Sequence, residues 1–434
     1  MSIKVNLSEI DQTELSQLLH IKKESSKYVS CRNEEFIYPY RITEDDIIYL
    51  PFGFAMKYLK SDKRPNRSMF YKSDFKFDYV KLRENQEIVK TDAMEYLNKY
   101  GSVMISTYTG FGKTITAIKL ASIIKLPTIV ITKGKTLIEQ WKNDLELFSS
   151  DCKCQILTTS TKIKPNYNFY IVNAINVEKL DISFLESIGL VIVDEAHLIM
   201  SDILSRSLLY MTPRYVIGLT ATPYRYDSYN KLLELFFGFE TDKSKFEEKD
   251  NPIIFRKMNR SHNVYKVETG FKPEVNFTSN GKVNWGDILD QQSKNVDRNE
   301  FIIRIVKKFK DNVFIILCKR VSHAEYLHNR LLEENESSTL LTGENDEFDK
   351  KSRILVAMTQ KAGTGFNHPR LNSLILATDA LNYYVQFLGR VFRTLDVIPS
   401  IFDVVDTNPI LKKHFDERRK VYEEHGGIIK SLNI

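Results

Sequence analysis

The stretch Ser102–Thr107, SVMIST, runs through YTGFGK into TITAIKLASII, and it limits what this chain can fold into more than any other. An apolar, β-rich run gives way to helical spacing across a glycine-bearing loop that ends Gly-Lys-Thr. That order predicts strand, tight loop and helix. Such an arrangement wraps backbone amides around a phosphate at the positive end of a helix. Thr109, Gly110, Phe111 and Gly112 then form the cradle, Lys113 reaches the β- and γ-phosphates, and the Thr114 hydroxyl ligates Mg²⁺. The expected ligand is ATP with Mg²⁺. One position departs from the pattern: Thr107 stands where a glycine opens the loop, which predicts a tighter turn.

Further apolar runs follow at Thr128–Thr132, Phe169–Ala174, Leu190–Asp194 and Tyr215–Thr220. None of them alternates, as befits strands buried on both faces, and helical patterns lie between them. Together they predict a parallel, doubly wound sheet. A second series, Val313–Cys318, Arg353–Met358, Ser373–Thr378 and Ile401–Asp406, predicts another. The expected fold is α/β, with two tandem P-loop-type domains at 80–245 and 300–434. A small α+β domain at 1–79 precedes them, and 246–299 is read as a connection.

The 434 residues carry a formal charge of +6, which permits nucleic-acid binding without requiring it. The segment KYLKSDKRPNRSMFYKSDFK interleaves Lys57, Lys60, Lys63, Arg64, Arg67, Lys72 and Lys76 with aromatic rings. It suits either base stacking beside phosphate contacts or an ordinary solvated surface. No apolar run approaches the roughly 18 residues of a membrane span. The polar start lacks signal-peptide character, so a cytoplasmic protein is expected. Cys31, Cys152, Cys154 and Cys318 have no zinc spacing and read as free thiols of a reducing compartment.

VIVDEAH ends the fourth run of the first series. It places Asp194 and Glu195 at the carboxyl end of a parallel strand, where open α/β sheets build their sites. Asp194 is suited to hold Mg²⁺, and Glu195 to orient and deprotonate an attacking water. In the second series, QFLGRVFR supplies Gln386, Arg390 and Arg393, the two arginines sharing one helix face. An arginine supplied across an interdomain cleft can stabilise charge on a transferring phosphoryl group. An amphipathic helix with surface arginines is the alternative.

The ordered series TGFGKT, DEAH, TATP, AGTGFN and QFLGRVFR resembles the superfamily 2 helicases from Leu82 to the C-terminus. The resemblance implies that Gln86, in LRENQ, reads adenine. It implies that Thr220 and Thr222, with His197, couple nucleotide state to domain movement. Thr132 and Lys133 would lie near the nucleic-acid backbone in the first domain, and Thr342, Gly343, Thr359 and Thr364 in the second. More narrowly, GFGKTITA, LTATPYR, AGTGFNHPRLNSLIL and VQFLGRVFR are similar to the helicases of large cytoplasmic DNA viruses, the poxvirus transcript-release type among them. That branch implies a DNA-stimulated ATPase that unwinds 3′ to 5′, with DNA expected ahead of RNA as the partner, transcription machinery beside it, and a cytoplasmic or virion-associated place.

Asn367 stands where many relatives have Asp, which puts a contact there in doubt. A recombination or fork-remodelling helicase, a restriction translocase and a non-catalytic nucleic-acid-binding scaffold are the alternatives. Intact Lys113, Asp194, Glu195, Gln386 and Arg393 speak against the scaffold. His323, His328 and His368 read as surface or capping residues, and Trp141 and Trp285 as packing residues. The C-terminal ILKKHFDERRKVYEEHGG reads as an amphipathic helix whose charges form a solvated face.

Overall fold

The computed structural model describes residues 1–22, 36–59, 61–78, 81–225, 227–343, 347–363, 368, 370–380, 384–392 and 397–432. Two compact units divide the chain, Met1–Arg256 and Lys257–Ile434. Among the described residues no helix is long and apolar enough to cross a membrane.

The first unit begins with β1 (Ser2–Asn6), α1 (Gln12–Leu18), β2 (Ile21–Lys22), β3 (Phe36–Ile37), β4 (Arg41–Ile42), β5 (Ile47–Pro51) and α2 (Phe52–Tyr58). β1, β5 and β4 form an antiparallel sheet. Its apolar face does not close on itself: Ile3, Leu50 and Phe52 belong to the same buried cluster as Leu232 and Phe236 further along the unit. The Ser2 hydroxyl donates to the Leu209 carbonyl at 2.7 Å. Gly53 lies so close to the helix end at Gly238 that a Cβ there would sit 2.1 Å from the Gly238 nitrogen.

The remainder of this unit is α3 (Glu84–Tyr100), β6 (Ser102–Thr107), α4 (Lys113–Ile124), β7 (Thr128–Thr132), α5 (Lys135–Phe148), β8 (Cys154–Leu157), β9 (Phe169–Asn173), α6 (Ile182–Glu186), β10 (Leu190–Asp194), α7 (Ala196–Ile199), α8 (Asp202–Leu208), β11 (Tyr215–Thr220), α9 (Asn230–Phe237) and β12 (Ile253–Arg256). Seven strands form one parallel sheet in the order β12-β6-β11-β10-β7-β9-β8. The five inner strands are the five unalternating runs of the sequence, buried because helices cover both faces. All seven run the same way, so Thr107, Thr132, Asp194 and Thr220 finish at one edge.

The basic segment is engaged by this unit. Arg64 forks onto Asp62, with Nη2 at 2.7 Å, and Nη1 donates to the Leu97 carbonyl at 3.2 Å. Arg67 donates to the Ile124 carbonyl, and Lys63 pairs with Glu9 at 2.7 Å. Phe70 and Phe75 are buried, and the Tyr71 hydroxyl donates to the Tyr167 carbonyl at 2.6 Å. Its aromatic rings therefore pack against the domain. Lys60 lies outside the described residues.

The second unit holds β13 (His262–Glu268), α10 (Trp285–Lys294), α11 (Val296–Lys308), β14 (Phe314–Cys318), α12 (Val321–Glu333), β15 (Ser338–Leu341), β16 (Ile354–Met358), α13 (Thr359–Gly363), β17 (Ser373–Leu376), α14 (Tyr384–Val391), β18 (Ser400–Val405), α15 (Pro409–Glu424) and β19 (Gly427–Ser431). Its sheet is again parallel, in the order β15-β16-β14-β17-β18-β13-β19. This is the expected architecture of two P-loop-type sheets after a small α+β region. Residues 246–299, read as a connection, contribute β12 to the first sheet and β13 to the second. β12, IIFR, is only four residues long, and β13, HNVYKVE, alternates, so neither stood out as an unbroken apolar run.

Three expectations are corrected here. His323 is fully buried, donating from Nε2 to Asn299 Oδ1 at 2.9 Å, and His368 is buried against Phe348. The charges of α15 are not all solvated. Buried Arg418 bridges Asp403 and Asp379, at 2.7 and 2.8 Å. His414 on the same helix donates to Asp379 at 2.6 Å. A buried guanidinium needs such partners, because an unpaired one would be costly.

Candidate nucleotide and nucleic-acid site

The loop between β6 and α4 takes the predicted path. Gly110 and Gly112 have φ of 88° and 98°, in the left-handed region open to glycine. Gly112 is tight as well as turned, since a Cβ there would lie 2.3 Å from Gln86 Nε2. Lys113 begins α4, and its ammonium donates to the Thr107 carbonyl at 3.1 Å. Thr114, half-buried, follows on the first turn of the helix.

Two side chains of the LRENQ element hold this loop from outside. Gln86, 4% exposed, accepts from the Arg83 amide at 2.9 Å and donates to the Phe111 carbonyl at 2.7 Å. Arg83 donates to the same carbonyl. Sequence reasoning singled out Gln86 as a reader of adenine. Here both ends of its amide are engaged by the chain itself, and Arg83 joins it in fixing the loop. The two stand three residues apart in LRENQ, Arg83 at the N-cap of α3 and Gln86 on its first turn, and that spacing was the signal.

β10 delivers Asp194, 7% exposed. Its Oδ1 accepts from the Glu195 amide at 3.0 Å, and its Oδ2 accepts from Trp141 Nε1 at 2.8 Å. Burial and the neighbouring Glu195 charge push the Asp194 carboxyl up to about 6, opposed by the Trp141 hydrogen bond and the charge of Lys113. Asp144, one turn beyond Trp141 on α5, is likewise raised to about 6 by burial and by Asp194. Glu195 turns the chain out of the strand with φ 48° and ψ 51°.

His197 and Thr220 connect the ends of β10 and β11. His197 Nδ1 lies 2.8 Å from the Thr220 hydroxyl. That hydroxyl donates to the Thr222 carbonyl and accepts from the Thr222 amide, both at 3.0 Å. Burial lowers the His197 pKa to about 3, so the ring stays neutral.

Several polar atoms along this edge are buried without a hydrogen-bond partner among the described residues: Ser106 Oγ, Thr107 Oγ1, Thr132 Oγ1, Glu195 Oε2, His197 Nε2 and Thr222 Oγ1. Buried polar groups are rarely left unpaired. Such orphans on four adjacent strand ends, beside a glycine cradle, fit a polyphosphate with a hydrated divalent cation. Thr114 and Asp194 offer the oxygen donors that Mg²⁺ takes. Lys133, just past β7, is exposed at the same edge.

In the second unit, Thr342 and Gly343 follow β15, and Thr359 follows β16, at one edge of that sheet. Arg390 lies on α14 and is 9% exposed. Gln386 is on the same helix, its side chain outside the description. Thr364, Asn367 and Arg393 lie outside the described residues.

The family described as Type III restriction enzyme, res subunit, matches residues 79–225. Protein 161L of Invertebrate iridescent virus 6, named as a helicase, is 39% identical and aligned over 100% of both chains. Protein 055L of Frog virus 3 (isolate Goorha), also named as a helicase, is 30% identical over 88% of this chain and 86% of its own. Transcript termination protein A18 of Yaba-like disease virus is 26% identical over 70% of this chain and 67% of its own. The solved structure of S. cerevisiae Dbp5 bound to RNA and ADP BeF3 shares the fold, with a TM-score of 0.56 at 13% identity, over 79% of this chain and 89% of that one.

Proposed function

Because this chain belongs to the superfamily 2 helicases, on the branch of the iridovirus helicases and the poxvirus transcript termination proteins, we propose that it hydrolyses ATP to move along and unwind nucleic acid. The observation that carries the proposal is the glycine cradle beside Lys113, Asp194 and Glu195, edged by buried polar atoms without hydrogen-bond partners among the described residues. Lys113 binds the β- and γ-phosphates of the substrate. Thr114 and Asp194 hold Mg²⁺, which when bound neutralises charge on the phosphate oxygens. Glu195 orients the water and takes its proton. Arg390 and Arg393 of the second unit supply charge to the phosphoryl oxygens, with Gln386 beside them. Thr132, Lys133, Thr342, Gly343, Thr359 and Thr364 contact the phosphate backbone, and His197, Thr220 and Thr222 relay nucleotide state.

The finer reading is a DNA-stimulated motor with 3′-to-5′ polarity that acts in release of nascent transcripts. The name of the A18 relatives supports the transcript role alone; DNA stimulation and polarity rest on the resemblance of the motifs. The test is ATPase rate with single-stranded DNA, duplex DNA, RNA and DNA–RNA hybrid, beside strand displacement on both tail polarities. DNA should stimulate most, and the 3′-tailed substrate should open. Lys113→Ala should lower turnover by at least about 10²-fold, as for loss of other transition-state donors. Turnover near wild type in that variant, with the protein folded, would remove the nucleotide assignment.

A further inference from the structure

Trp141 and Asp194 come from different elements, α5 and β10, and meet through a single polar contact. Trp141 is 1% exposed and packs in an apolar cluster with Ile118, Ile138 and Leu145. A phenyl ring would satisfy that packing. The one polar atom of the indole is instead spent on Asp194 Oδ2, at 2.8 Å. The Glu195 amide holds the other oxygen at 3.0 Å.

We propose that Trp141 is a positioning residue for the divalent cation: its indole N–H holds the Asp194 carboxylate in the orientation that receives Mg²⁺. The inference rests on the reading of Asp194 as a cation ligand. A carboxylate has about four lone-pair sites. Two donors on separate oxygens stop the group rotating and still leave sites for a hydrated cation. Held this way, the ligand loses no rotational freedom when the cation arrives. Partners that orient metal ligands are worth about 10- to 100-fold in metal affinity. A purely structural tryptophan needs only some acceptor for its N–H, and its loss would not discriminate between metal-free and metal-bound nucleotide.

The experiment is ADP binding to the full chain by calorimetry, in EDTA and across a Mg²⁺ titration. Trp141→Phe should leave metal-free ADP affinity within about twofold and raise the Mg²⁺ midpoint about 10- to 100-fold. Asp194→Asn should raise it too, and the double variant should be no worse than Asp194→Asn alone. An unchanged midpoint in Trp141→Phe, or losses that simply add, overturns the inference while leaving Asp194 as a ligand. If wild-type ADP binding ignores Mg²⁺ altogether, the reading of Asp194 fails and takes this inference with it. A second measurement leaves position 141 intact. The chain has two tryptophans, so Trp285→Phe makes Trp141 the sole emitter when excitation is set beyond the absorption of the tyrosines. Its emission should change as Mg²⁺ is added to the ADP-loaded protein, with the calorimetric midpoint. Constant emission through that titration overturns the inference.

Discussion

Glu195 occupies the left-handed region, with φ 48°, which costs a non-glycine residue of order 1–3 kcal/mol. The surrounding hydrogen bonds hold it there, and the result is a carboxylate carried out of the strand beside Asp194. Glu195→Gln keeps the shape and removes the base that the proposed function assigns. It should bind ATP about as well as wild type while single-turnover hydrolysis falls about 10²- to 10⁴-fold. Equal hydrolysis rates would assign the base elsewhere. Buried histidines give a second residue-scale expectation. Burial lowers the His323 pKa from 6.5 to about 3, so the unfolded chain binds a proton there that the folded chain refuses. Stability is therefore full above pH 6.5 and declines as pH falls toward 3. Between pH 7 and 5 this site alone should cost about 2 kcal/mol. His323→Gln can still donate to Asn299 and should flatten that decline, measured by urea unfolding at the two pH values. An equal decline in both proteins would acquit His323.

At the scale of elements, burial on two faces decided which strands were legible. β6, β7, β9, β10 and β11 are inner strands and read as unbroken apolar runs, as do β14, β16, β17 and β18. The edge strands β8, β12, β15 and β19 border solvent on one side and carry no such run. β13 is an inner strand, yet its HNVYKVE alternates because its two faces differ in burial. The basic segment shows what charge and aromatic rings leave open. Lysines and arginines among aromatic rings suit a nucleic-acid surface, but Arg64 and Arg67 end on Asp62 and on carbonyls at two helix C-termini. Replacing both with Ala should lower the melting temperature. The slope of log K for DNA against log salt should stay unchanged, where a lost phosphate contact would flatten it by roughly 0.7–0.9. A flattened slope with unchanged melting would restore the binding surface.

The whole molecule divides at Arg256, and β12 belongs to the first sheet. A fragment of residues 1–256 therefore keeps every strand of that sheet and the core shared with the N-terminal strands. It should fold and bind nucleotide. Under the proposed function it should hydrolyse ATP poorly, because Gln386, Arg390 and Arg393 are missing. Arg393→Ala in the full chain should lower turnover by about 10³-fold if it acts as other arginine fingers do, with nucleotide affinity changed far less. Single-turnover hydrolysis beside nucleotide binding checks both. Full DNA-stimulated turnover by the fragment would end the two-unit reading.

The residues alone determined the parallel sheets, their inner strands other than β13, the glycine loop and the acidic pair. Each of these is a local pattern: strand, glycine turn and helix in order, or charge at a strand's carboxyl end. Only the tertiary structure decided what those groups touch. That Trp141 donates to Asp194, that Gln86 and Arg83 grip the loop, and that His197 meets Thr220 all depend on elements brought together from distant parts of the chain. The apolar setting of Trp141 reads from sequence as packing, because burial leaves a periodic trace and a single buried hydrogen bond leaves none. For the same reason residues 1–79 read only as a small α+β domain, and the folded chain alone shows which apolar residues there, Ile3, Leu50 and Phe52 among them, share a buried cluster with Leu232 and Phe236.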